Sequence, residues 1–159
     1  MAETAPRKLS FIASKGSLDM AYPPLIMANA ARMSGVEVNI FFTFWGLDII
    51  NPKKQNHLHV AVVGNPSMHP SFHFPTLVGV IPGMSHLASW MMNREIANLD
   101  FPPVGEFVQL LMDSGANLYG CKMSMDMMKL TEKDLVPGAK ELGAMEFIEI
   151  SNGGQIIFV

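Results

Sequence analysis

Blocks of apolar residues along the chain alternate between strand-like and helix-like spacing. Leu9-Ser10-Phe11-Ile12-Ala13 is a short, mostly apolar run closed by Ser14-Lys15-Gly16-Ser17, which predicts a buried strand passing into a polar loop. From Met20 to Met33 the apolar residues fit a helix. Pro23 and Pro24 are expected in its first turn, where a missing N–H is tolerated, and Ser34-Gly35 supplies a stop. Val36 to Phe44, rich in β-branched and aromatic residues, predicts a second strand ending at Trp45-Gly46. Strand, helix and strand in this order form a βαβ unit, so the two strands are parallel in one sheet and the class is α/β.

Residues 47–83 break the pattern. They contain Pro52, Pro66, Pro70, Pro75 and Pro82 together with four of the five histidines, and are expected to be a long inserted loop, a lid or an assembly arm. Helical spacing resumes from Met84 to Leu99, with Leu87, Trp90, Met91 and Ile96 as the expected inner face, until Phe101-Pro102-Pro103 ends it. Pro103 to Asp113 predicts another helix burying Phe107, Leu110 and Leu111, with Gly115 as its stop. Asn117 to Gly120 reads as a strand and residues 122–130 as a helix. Thr131-Glu132-Lys133-Asp134 resembles an N-terminal capping pattern. Glu146 to Ile150 fits either strand or helix. The spacing of Glu146 and Glu149 and the Gly153-Gly154 stop favour a short helix, followed by a closing strand from Gln155 to Val159.

With 159 residues the chain fills one core, so a single domain over 1–159 is expected, with 1–7 as a flexible N-terminus. A net charge of −3 offers no basic stripe and argues against nucleic acid as a partner. One cysteine excludes an internal disulfide, and Met1 to Lys8 lacks a secretory-type apolar run, which points to the reducing cytoplasm. Thr76 to Met92 is too short and too interrupted for a membrane span, so membrane association is not predicted. A 49% hydrophobic content with 14 methionines leaves apolar surface for subunit contact or surface docking.

Cys121 is the residue with most chemistry. It follows a strand and opens a helix, where unpaired N–H groups, the macrodipole and the adjacent Lys122 would favour the thiolate; the rival reading is a small buried hydrophobe. In a parallel sheet, Ser14 to Asp19, Trp45 to Asp48 and Cys121 all follow strands and share the carboxyl edge, where ligands bind. Lys15, Gly16 and Ser17 offer small residues and a cation for an anion or thiolate, yet lack the spacing of a P-loop and fit an ordinary strand-to-helix turn better. His57 with His59, and His69 with His73, have spacings open to metal, but nothing else supports ligation and no metal or cofactor set is assigned. Met123, Met125, Met127 and Met128, with Met84, Met91 and Met92, fit packing and a subunit seam better than metal or haem ligation.

Gly120-Cys121-Lys122-Met123-Ser124-Met125-Asp126-Met127-Met128, the preceding Gly115 to Tyr119, Val80-Ile81-Pro82-Gly83-Met84, Trp90-Met91-Met92 and Gln155 to Val159 resemble the DsrE/DsrF/DsrH-like proteins, in the branch with the Pro-Gly-Met insertion. The resemblance runs from Leu9 to Val159. It implies a three-layer, flavodoxin-like or Rossmann-like parallel-sheet fold, assembly into homo-oligomers, and cytoplasmic sulfur trafficking with rhodanese-like and TusA-like partners. Cys121 would carry sulfane sulfur as a persulfide, making the chain a sulfurtransferase or carrier. No second cysteine exists, so an internal relay is excluded. Two other functions fit the residues: a small-anion or nucleotide-binding regulatory subunit with a structural Cys121, and a purely structural assembly protein.

Overall fold

The computed structural model describes residues 7–61 and 81–159. Most of the expected N-terminal tail and much of the expected 47–83 loop, with His69 and His73, lie outside the described residues. Five parallel strands form one sheet: β1 (Lys8–Ala13), β2 (Glu37–Phe42), β3 (Asn117–Cys121), β4 (Lys140–Leu142) and β5 (Gln155–Phe158). Their order is β4-β3-β2-β1-β5.

Strand alternation divides the core in two. Phe11, Ala13, Val38, Ile40, Phe42 and Leu118 join the large cluster beneath α1 (Leu18–Met33) and α3 (Val104–Asp113). Ile12, Phe41, Tyr119 and Cys121 point to the opposite face, where Phe147 of α5 (Ala144–Ile150) meets them. Among the described residues, the helices α2 (Met84–Asn98) and α4 (Lys122–Met128) complete the set of α-helices. The chain moves from β1 to β2, β3 and β4 in one direction, with helices on the first face. It then returns across the whole sheet to β5. Right-handed crossover requires a return in the opposite direction to pass over the other face, which places α5 there and gives three layers. The expected α/β parallel-sheet class, short final helix and closing strand are all present.

Several local expectations are corrected. The first helix begins at Leu18, so Pro23 and Pro24 lie in its second turn and donate no N–H to the carbonyls of Asp19 and Met20 four residues back. Burial of Leu18, 3% exposed, pulls the start of the helix into the core ahead of the prolines. Residues from 47 onward do not depart from the fold at once. Leu47, Ile49 and Ile50 are fully buried in a 3-10 helix spanning Phe44–Ile50, and Leu58 and Val60 also join the core.

The inner face of α2 is only partly the expected one: Ile96 packs against the core, but the other three residues do not. Leu87, Trp90 and Met91 are exposed, whereas Ala88 and Ser89 are buried. The Ser89 hydroxyl donates to the Ser85 carbonyl at 2.7 Å and accepts from the Val60 N–H at 2.9 Å. Small side chains bring the helix against the 58–60 segment, and the bulky ones face outward, with Arg94 over Trp90. In α3, Val104, Phe107, Val108 and Leu111 are buried while Leu110 is exposed. Among the described residues no helix is long and apolar enough to cross a membrane.

Candidate functional site

Gly120 determines how the chain reaches Cys121. A Cβ on Gly120 would stand 2.7 Å from Met125 Sδ and 3.0 Å from Leu135 Cδ1, so the glycine leaves room for the side chains that pack α4 directly against the strand. Thr43 and Ser124 share a hydroxyl hydrogen bond of 2.9 Å that ties the first turn of α4 to the end of β2. Cys121 is then the N-cap residue of α4, with extended backbone, as the sequence places it.

Its surroundings differ from the expectation. Cys121 is 5% exposed and packs with Phe41 and Phe147, flanked by the partly buried Ile12, Tyr119, Leu142 and Ile150. The Phe41 and Phe147 rings stack at 4.6 Å. Beyond Phe147, α5 is anchored by the Lys8 ammonium donating to the Ile150 carbonyl at 2.8 Å and by a buried Ser10–Ser151 hydroxyl pair, also 2.8 Å. Tyr119, on the same face, has its phenol pKa raised, first by burial and then by the charge of Glu37.

Lys122 does not turn its charge to the sulfur. Its ammonium forms an ion pair with Glu141 on β4, which raises its pKa through hydrogen bond and charge. Of the following methionines, Met125 is fully buried and Met128 partly so, while Met123 and Met127 are exposed. Packing and outer surface thus divide between them.

Lys15, Gly16 and Ser17 stand elsewhere. They line a cavity of about 620 Å³ at the carboxyl edge of β1 and β2, on which Cys121 does not border. The predicted convergence on one edge is real, since Ala13 pairs with Phe42 and Phe42 with Gly120. Cys121, one residue beyond Gly120, points through the other face. The turn at Trp45 to Asp48 joins the cavity as expected, whereas Lys53 and Lys54 were not singled out from sequence. Their only signal is two adjacent cations after Pro52.

His57 and His59 also line this cavity, and His59 meets His86 edge-on at 4.5 Å. Among the described residues, no group of three or more His, Cys, Asp or Glu could hold a metal.

A model of the DsrE/DsrF/DrsH-like family matches residues 5–158. The sulfur carrier protein DsrE2 of Allochromatium vinosum is 34% identical over 154 residues, covering 94% of this chain and 96% of that protein. YrkE of Bacillus subtilis, an uncharacterized protein, is 22% identical over 158 residues, with 94% of each covered. The crystal structure of the ychN protein from E. coli matches with a TM-score of 0.57 at 11% identity, over 96% of this chain and 99% of that one. This last likeness is one of fold alone.

Proposed function

The chain belongs to the DsrE/DsrF/DrsH-like family, and from that premise we propose that it is a sulfur carrier, holding sulfane sulfur as a persulfide on Cys121. One observation carries the reading. A relative 34% identical along nearly its whole length is a sulfur carrier, and Cys121 is the only cysteine here that could hold the cargo.

In loading, the Cys121 thiolate attacks the outer sulfur of a donor persulfide. A new S–S bond forms, the donor S–S bond breaks, and the donor thiolate leaves with the electron pair. In unloading, an acceptor thiolate attacks the outer sulfur of Cys121 and the Cys121 thiolate departs. Neither step needs an oxidant or reductant.

At 5% exposure, Cys121 meets a donor only when α5 lifts from Phe41, so transfer is gated by local opening of the segment from Ala144 to Ile150. Donor and acceptor are proteins of the rhodanese-like and TusA-like kind. A reducing cytoplasm and a homo-oligomeric assembly complete the proposal; the single thiol supports the first and the exposed apolar side chains the second.

The test is intact mass of the reduced protein after incubation with a sulfane-sulfur donor. We expect one reducible sulfur adduct on the native chain and none on Cys121→Ser. No adduct with any donor or partner protein rejects the carrier role and leaves the rival that burial favours, a structural Cys121. An adduct that persists in the variant moves the site.

A further inference from the structure

The cavity at the carboxyl edge of β1 and β2 has a chemistry that the thiol does not use. Three lysines, Lys15, Lys53 and Lys54, border it against a single carboxylate, Asp48, although the chain as a whole carries a formal charge of −3. Asp48 pairs with Lys54 at 2.7 Å. Among the described residues neither Lys15 nor Lys53 forms a salt bridge, although Lys53 is near enough to Asp134 to act weakly on it. Ser17, His57 and His59 add polar groups, and the rest of the wall is apolar or aromatic. Trp45 is 64% exposed, and Leu58 and Ala61 stand beside it.

The two sides of this cavity are locked together. A Cβ on Gly16 would fall 2.2 Å from the Trp45 carbonyl oxygen, and one on Gly46 2.1 Å from that of Ala13. The loop bearing Lys15 and the loop bearing Trp45 therefore touch backbone to backbone, so the two loops keep one relation to each other before any ligand arrives.

Size and charge narrow the ligand. A volume of about 620 Å³ lies within the range of small-molecule sites, and a lone oxyanion would fill little of it. The lysines are exposed and screened, so charge alone attracts weakly, and affinity has to draw on the apolar wall as well. The geometry points to a binding site for a nucleoside monophosphate, its phosphate held between Lys15 and Lys53 and its base stacked on Trp45. The site shares no lining residue with the Cys121 cluster and stands independently of sulfur transfer.

Isothermal titration of the full chain with AMP, inorganic phosphate and adenosine tests it. AMP is expected to bind saturably and more tightly than either fragment. Lys15→Ala with Lys53→Ala should weaken AMP by about 10-fold or more, a factor well outside titration error. Trp45→Ala should weaken AMP while leaving any phosphate binding unchanged, and Cys121→Ser should bind AMP as the native chain does. Far-UV circular dichroism confirms that each variant is folded. No saturable binding of AMP at millimolar concentration overturns the assignment, as does phosphate binding as tightly as AMP, or AMP binding unaltered in the lysine and tryptophan variants. Loss of sulfur loading with AMP binding intact, or the reverse, separates this site from the carrier reading.

Discussion

Phe147 decides how Cys121 behaves, because its ring lies on Phe41 in the cluster that contains the sulfur. Phe147→Ala should cost about 3–5 kcal/mol, the usual range for a buried aromatic, and should speed alkylation of Cys121 under native conditions. Time-resolved iodoacetamide labelling read by intact mass checks this; an unchanged rate would show that α5 is not the gate. Lys122 gives a second test. Its pKa is raised by Glu141, so its contribution to stability is complete below about pH 10 and is lost as pH rises through the higher folded value. Glu141→Gln should therefore remove part of the alkaline fall in Tm. At this scale the position of Cys121 between strand and helix was legible, because that rests on local apolar spacing. Its neighbours were not. Glu141 and Phe147 reach the site through strand order and crossover, and adjacency in sequence misassigned the Lys122 charge to the sulfur.

At the level of elements, two glycine contacts hold the β1 and β2 ends together. Gly16→Ala and Gly46→Ala each push a Cβ onto a carbonyl oxygen and should each cost about 1–3 kcal/mol, measured by urea unfolding. Because both act on one seam, the double variant should fall short of the sum. The 3-10 turn at Glu132–Asp134 offers an acid-side counterpart. Thr131 donates both its N–H and its hydroxyl to Asp134 at 3.0 Å, holding that carboxyl below the ordinary aspartate range. A lowered pKa stabilises the fold at neutral pH and is lost as pH falls below about 4, so Asp134→Asn should flatten Tm against pH there. The capping pattern was legible because it is local. The face of α2 was not: Ser89 bonds to Ser85 and to Val60, and that distant backbone contact outweighs the larger apolar residues on the other side.

Across the whole molecule, the sheet is covered unequally. Among the described residues the first face carries α1 and α3, the second only the seven residues of α5. Ile156 and Phe158 pair with Ser10 and Ile12 and so share the second face, where they are 44% and 70% exposed. Met145 and Ile148, on the outer side of α5, extend the apolar surface. The final strand reads from sequence as a closing strand, and the single chain leaves its side chains largely uncovered. This is the surface on which the proposed self-assembly rests. Phe158→Glu should shift sedimentation toward smaller species; an unchanged profile would place any assembly elsewhere.

The return path from β4 to β5 also orders events during synthesis. β1 to β4 and the cysteine leave the ribosome before Ala144 to Phe158 do. A nascent chain thus passes through a stage in which its one thiol has no roof, open to oxidants and to any modifying protein that waits nearby, until the last strand docks beside the first.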